Sequence, residues 1–399
     1  MSKLKTYKFS DLYEMSSGIS SKPEQAGHGS QFVSFKTVFN NYFLPDALSE
    51  YMDISEKEKE IYSIKKGDIF LTRTSETLDE LGMSCVAVKD YPASSFSGFL
   101  KRLRPTQDDI TYDKFMAFYL RSDLFRKTMT NNSIMTLRAS LNEQIFSYLE
   151  LILPEFNDQK KAGDFLYSLN AKIELNNKIN TELEAMAKAL YDYWFVQFDF
   201  PDVNGKPYKT SGGKMLWNNE LKRKIPEGWE LRIVNELLEK ETATRKIPSS
   251  EILQKGLIPV IDQSTNYIRG FTNDKMGLIK VDKARIIFGD HTRILKLINF
   301  DFARGADGTQ ILLSKNERMP QHLFFHSLQK IDLSSYGYAR HFKFLKDSKV
   351  IVPNKESANE FEELVSNFYK KIKSNIFQNY ELASLRDSLL PMLMNGQVK

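Results

Sequence analysis

Eight short stretches of this chain collect side chains that grip phosphate and hydrogen-bond the edges of bases. Four lie in the first 140 residues: SSGISSKPEQAGHGS (Ser16–Ser30), TRTSET (Thr72–Thr77), GFLKRLRP (Gly98–Pro105) and TLRAS (Thr136–Ser140). Four lie further on: DQSTNYIRGFTNDK (Asp262–Lys275), FGDHTR (Phe288–Arg293), FARGADGTQ (Phe302–Gln310) and YGYARHFKF (Tyr336–Phe344). Arg and Lys neutralise phosphates, whereas Arg, Asn, Gln, Ser and Thr supply base-edge donors and acceptors. Each stretch taken singly also reads as a solvated polar loop. What argues for function is that the same chemistry occurs in both halves of the chain.

Residue types for catalysis are present without the spacing that catalysis needs. There is no G-x-x-x-x-G-K-[ST], G-x-G-x-x-G or G-x-S-x-G, and therefore no nucleotide loop or nucleophile elbow of those kinds. The five histidines never form H-E-x-x-H. His322 and His326 share one helical face at a spacing that suits two metal ligands, but Leu323 stands where that motif has Glu. The bland alternative for the pair is packing. Asp68 and Glu76 near Lys89 have no distinctive nuclease spacing. The lone Cys85 sits in an apolar run and reads as a buried thiol. Trp194 and Trp229 read as core or junction anchors.

Composition sets the frame for these residues. A chain of 399 residues exceeds one ordinary core, which predicts two or three domains. One cysteine excludes an internal disulfide and fits a reducing compartment, so a cytoplasmic location is expected. No secretory h-region and no run of 18 apolar residues is present, so no membrane partner is expected. A net charge of +5 permits a nucleic-acid partner without requiring one.

An internal repeat organises the chain. Pro154 is matched by Pro353, and the same offset of 199 residues pairs Phe165 with Leu364, Asn176 with Asn375, Asn180 with Asn379, Leu183 with Leu382 and Leu190 with Leu389. Leu169, Ile173, Asn176, Asn180, Leu183, Ala187, Leu190 and Trp194 step alternately by four and three, the seam of a coiled coil. Phe361, Val365, Phe368, Ile372, Asn375, Asn379, Leu382, Arg386, Leu389 and Leu393 do the same. Each stretch predicts a helix of about 35 residues, roughly 50 Å long. Two such helices in one chain bury their seams on each other, with paired Asn fixing the register. The sequence alone leaves parallel and antiparallel pairings open. The order globule, helix, globule, helix favours the antiparallel one, with the globules in pseudo-twofold relation.

Each globule carries short apolar runs read as strands: GDIFLTR, SCVAVK and LELILP in the first, ARIIFG and SKVIVP in the second. Asp113–Met129 predicts one helix capped by Asp113, and Pro320–Ile331 predicts its counterpart. The fold class expected is α/β: two mixed α/β recognition domains separated by two long antiparallel helices that form an intramolecular coiled coil. The boundaries expected are residues 1–153 for the first domain, 154–198 for the first helix and 199–219 for an irregular crossover. Residues 220–353 then form the second domain and 354–399 the second helix.

At the junctions of these elements the chain resembles the specificity subunit of type I restriction–modification systems. Trp194, Phe195, Phe198, Gly205, Pro207, Gly213, Met215, Ile225, Pro226, Gly228 and Trp229 match, in order, that family's W-F-x-x-F, G-x-P, G-G-x-M and I-P-x-G-W steps. Arg386, Leu389, Leu390, Pro391, Leu393 and Gly396 fit its terminal R-x-x-L-L-P-x-L-x-x-G. No I-P-x-G-W precedes the first domain, where YKFSDLYEM stands instead. The resemblance implies a non-catalytic subunit that binds double-stranded DNA at a bipartite site, one half per domain. It further implies that the helix pair spaces the domains and docks two copies of a modification subunit that methylates adenine N6. Restriction/translocase subunits complete the nuclease. No cofactor is expected on this chain, while S-adenosylmethionine, ATP and Mg2+ are expected on the partners.

The recognition loops vary within that family, so the DNA-contacting candidates come from the basic and polar side chains of the loops themselves. They are Ser21, Lys22, Arg73, Thr74, Lys101, Arg102 and Arg138 in the first half, with His28 as a further weak one. In the second half they are Arg269, Arg293, Arg304, Gln310, Arg340 and Lys343. Two linked modules make sense physically, because one good bidentate base contact discriminates by only about 1–3 kcal/mol and the second module binds intramolecularly. The alternatives are a specificity subunit serving another restriction type, a two-lobed protein-interaction scaffold that needs no basic face, and a DNA enzyme that would show metal-dependent turnover.

Overall fold

The computed structural model of the chain describes residues 3–20, 22–75, 80–132, 139–140, 143–242, 244–306, 308–337 and 340–397. It divides into two compact units: Met1–Glu174 with Asn379–Lys399, and Leu175–Gln378.

In the first unit, Tyr13–Ser17, Leu100–Pro105, Ile69–Thr72 and Ser84–Val86 form, in that order, a four-stranded antiparallel sheet. Ile69, Phe70 and Leu71 are apolar on both faces because both faces are covered. A smaller sheet orders Glu50–Met52, Ala26–Val33 and Ser95–Phe96, the last pair running parallel. Lys5–Lys8 pairs antiparallel with Glu150–Leu153. The single helix expected over Asp113–Met129 is two helices, Asp113–Tyr119 and Asp123–Asn132. The break falls at Ser122, whose hydroxyl bonds Tyr119 O and receives the Phe125 N–H, which ends one helix and caps the next. Asp113 lies inside the helix rather than at its cap, which is Tyr112.

The second unit repeats this plan. Leu238–Glu239, Thr309–Ser314, Arg285–Gly289 and Leu295–Ile298 form a four-stranded antiparallel sheet in that order. Gly270–Thr272, Ile258–Ile261, Phe302–Arg304 and Leu278–Ile279 form the other, again with one parallel pair, Ile258–Ile261 with Phe302–Arg304. Glu230–Ile233 pairs with Lys349–Val352 as the first unit's terminal strands pair. A helix over Gln321–Gln329 begins just after Pro320, as the sequence indicates.

The two long helices are Phe156–Tyr191 and Lys355–Met394, and each gives one segment to each unit. Within the second unit Asn176 Nδ2 donates to Gln378 Oε1, and Asn375 Nδ2 to Asn180 Oδ1, both at 2.8 Å. As the position rises on one helix it falls on the other, so these segments run antiparallel. Within the first unit Leu166 shares a core with Leu390, Leu393 and Met394. Of the expected seam, Asn176, Ile372 and Asn375 are buried, and Leu169, Ile173, Asn180, Leu183, Leu190, Phe368, Asn379, Leu382 and Leu389 are half-buried.

The stretch expected as an ordered but irregular crossover leads into regular structure. Met215–Asn218 pairs with Arg223–Pro226 as a hairpin. Phe198, Phe200 and Trp229 join Trp194, Phe195 and Phe361 in the second unit's core. Each such ring contributes about 2–3 kcal/mol by leaving water, enough to hold a segment rich in Gly and Lys.

Candidate functional site

In the first unit the four polar stretches converge. Ile19 N–H donates to Phe96 O at 2.9 Å and Gly98 N–H to Ile19 O at 2.8 Å, which joins the first stretch to the third. Arg73 N–H donates to Phe99 O at 2.9 Å, adding the second. Thr74–Ser75 pairs with Ala139–Ser140, adding the fourth.

The second unit builds the same junction. Ile247 N–H donates to Arg304 O at 2.9 Å and Ala306 N–H to Ile247 O at 2.8 Å, the counterparts of the Ile19 bonds. Asp290 N–H donates to Gly308 O at 2.7 Å. His291 N–H reaches Gln263 Oε1 at 3.1 Å, and Thr292 Oγ1 donates to Gln263 O at 2.8 Å. Asp290 Oδ1 accepts Phe342 N–H at 2.8 Å, and Asp290 O accepts His341 N–H at 3.0 Å. A buried Asp290 thus caps, from the turn after the strand Arg285–Gly289, the helix His341–Asp347. Gly308 has φ +64, and a Cβ there would meet Gln263 Nε2 at 2.6 Å and His291 Cδ2 at 2.8 Å, so the junction closes only on glycine.

The candidates divide by environment. Lys22 and Arg73 are exposed in the first unit, and His28 is exposed with Asp53 3.9 Å away. Lys101 and Arg102, expected to reach a ligand, are instead buried. Lys101 Nζ donates to Ser17 Oγ at 2.8 Å, and Arg102 Nη1 to Ser63 O at 2.6 Å over the Phe96 ring. Burial lowers the Arg102 pKa. Their stretch forms a central strand, and alternation alone does not reveal that both faces are covered. Ser21 and Arg138 lie outside the described residues, and Thr74 is placed by its strand backbone.

In the second unit Arg269, Arg293, Arg340 and Lys343 are exposed, and Arg304 and Gln310 half-buried. Arg269 Nε lies 3.7 Å from Asp262, and Arg293 Nη1 donates to Leu333 O at 3.2 Å. Burial lowers the Arg304 pKa, with Glu241 opposing. Gln263, Asp290, Thr292 and Phe99 were not among the candidates. Each lies in or beside a stretch already singled out, and only the tertiary bonds distinguish them.

The residues weighed for catalysis have structural partners. Asp68 is fully buried in a two-bond pair with Arg104, at 2.8 and 2.7 Å. Glu76 lies outside the described residues, and Lys89 pairs with Asp46. His322 Nδ1 lies 2.6 Å from Glu362 Oε1, and His326 Nδ1 3.1 Å from Gln329 Oε1. Cys85 is buried, which raises its pKa. Among the described residues no group of three or more His, Cys, Asp or Glu is placed to hold a metal. Likewise, no helix is long and apolar enough to cross a membrane.

Residues 1–185 match the family model described as the type I restriction modification DNA specificity domain. The chain is 25% identical over 440 residues to the type I restriction enzyme HindI specificity subunit of Haemophilus influenzae, covering 92% of this chain and 94% of that one. It is 23% identical over 367 residues to the MjaIX specificity subunit of Methanocaldococcus jannaschii, covering 86% and 80%. Over most of its length the chain is thus similar to type I restriction–modification specificity subunits. The S subunit of M. genitalium, a crystal structure, shares the fold at a TM-score of 0.62 and 14% identity, over 98% of this chain and 96% of that one. The two matched junctions are the parts of the chain's framework that gather exposed cations with hydrogen-bonding side chains.

Proposed function

We propose that each unit of this specificity subunit reads one half of a bipartite DNA target through its four-loop junction. The carrying observation is the duplication: Ile19 and Ile247 make the same pair of backbone bonds in two units whose loop sequences differ. A shared frame with unlike loops suits two different half-sites. Arg73 and Lys22 in the first junction, and Arg269, Arg293, Arg340 and Lys343 in the second, engage phosphates or base edges, and Ser21, Thr74, Arg138, Arg304 and Gln310 are further candidates for DNA contact. The antiparallel helices act as the spacer that sets the number of unread base pairs, in a pseudo-twofold arrangement of the two domains. About 34 Å keeps two modules on one face of the duplex, within the reach of helices roughly 50 Å long.

The helices also dock two copies of the modification subunit. These carry S-adenosylmethionine and methylate adenine N6 in each half-site, and restriction/translocase subunits use ATP and Mg2+. The complex works in the cytoplasm. The test is methylation mapping of the genome in cells with and without this gene. Paired half-sites of fixed spacing, methylated only when the gene is present, are expected. Unchanged methylation in cells that hold active partner subunits overturns the reading.

A further inference from the structure

We infer that Phe99 is an apolar wedge that enters the DNA half-site faced by the first unit, unstacking one base step. The inference rests on the reading of the first four-loop junction as a DNA face. Phe99 is 65% exposed, whereas its neighbours Phe96 and Leu100 are fully buried. Looseness of the loop does not explain this. Phe99 O accepts Arg73 N–H at 2.9 Å, Phe99 N–H donates to Ser97 Oγ at 3.2 Å, and Gly98 N–H donates to Ile19 O at 2.8 Å. A Cβ at Gly98 would stand 2.9 Å from Ile19 O, so the strands meet backbone to backbone just before the ring. The backbone is pinned on both sides while the ring is held in water.

A rigidly presented ring of this kind loses its contact with water only on a partner. The partner of this junction is DNA on the reading above. The exposed cations Arg73 and Lys22 lie on stretches tied to the same junction. Cations at the rim that hold phosphates, with an apolar tip between them, are what a side chain needs to wedge apart stacked base pairs. Modification of a base requires that the base leave the stack, and a step already opened lowers that cost. The corresponding stretch of sequence in the second unit, Gly305–Gly308, reads G-A-D-G and has no aromatic residue. The distortion is therefore confined to one half of the target.

The test uses the specificity subunit assembled with its modification subunits, on duplexes carrying 2-aminopurine at successive positions of the half-sites found by methylation mapping. The wild-type complex raises the fluorescence at one step of the first half-site. Phe99→Ala abolishes that rise and weakens binding about tenfold, the scale of one lost base–aromatic contact. Phe99→Trp restores both, and Arg73→Ala weakens binding but keeps the rise at saturating protein. Phe99 is a surface ring, so the melting temperature of Phe99→Ala should match the wild type. A Phe99→Ala complex with wild-type fluorescence and affinity, beside an Arg73→Ala complex that binds weakly, sinks the wedge alone. If both variants bind and methylate the first half-site as the wild type does, the first junction is not a DNA face and the wedge falls with it.

Discussion

Asn375 donates its side-chain amide to Asn180 across the antiparallel helices, at 2.8 Å. The repeat pairs Asn176 with Asn375 and Asn180 with Asn379 in sequence. The structure instead joins Asn375 to Asn180, and Gln378, which is off the expected seam, accepts from Asn176.

Breaking that bond from one side leaves an unmatched amide. Asn375→Leu should cost about 1–2 kcal/mol, since the Asn180 carbonyl oxygen loses its donor. The double variant Asn180→Leu with Asn375→Leu should recover most of the loss, because apolar seams tolerate Leu. Urea midpoints of the single and double variants check this, and equal midpoints for the two would contradict it.

A charge in the seam is more severe. Leu183→Asp, which places a carboxylate beside the second unit's core, should cost about 2–4 kcal/mol. Leu382→Asp tests the other helix in the same way. Co-purification with the modification subunits should fail while circular dichroism of the sheets persists. Normal assembly by both variants would remove the spacer role.

Asp290 locks the fourth loop of the second junction to the second. Asp290→Ala removes the acceptor for Phe342 N–H and should destabilise the His341–Asp347 helix by about 1–2 kcal/mol. Hydrogen exchange should accelerate over residues 341–347, and sequence preference should relax in one half-site only. Protection equal to the wild type would show that the cap is dispensable.

Exposed and buried cations should separate cleanly. Arg73→Ala and Arg269→Ala should each weaken DNA binding and reduce the salt slope by about one, unless the residue reads a base, in which case preference changes at one position. Lys101→Ala should instead lower the melting temperature, because Lys101 is bonded to Ser17 inside the sheet. Titration of binding against salt, run beside thermal melts, distinguishes the two classes.

The second unit should weaken on mild acidification. His326 is 2% exposed, and burial, opposed by the Gln329 bond, pushes its pKa down to about 4. The folded state keeps His326 neutral, whereas the unfolded chain takes up a proton near pH 6.5. Its contribution is therefore complete above about pH 6.5 and lost as the pH falls toward 4, on the order of 2–3 kcal/mol at most. Thermal melts between pH 7 and pH 4 should show this decline, and His326→Gln should flatten it. An identical decline in the variant would assign the loss to other groups.

By itself the sequence determined the duplication, the long helices, the strands at Ile69–Thr72, Arg285–Gly289 and Lys349–Val352, and the stretches that form the two junctions. Those features are periodic or compositional, and period and composition are local properties that the chain displays without folding. Only the tertiary structure decided which Asn meets which, because crossing partners depend on how two helices lie together. It alone also took Lys101 and Arg102 into the interior while leaving Arg73 outside, since coverage of the second face of a strand comes from elements far away in sequence. Trp194 and Trp229 were legible as anchors, whereas the packing of Phe198 and Phe200 beside them was hidden in a segment whose Gly and Lys content signals irregular structure, because burial of large rings depends on distant partners.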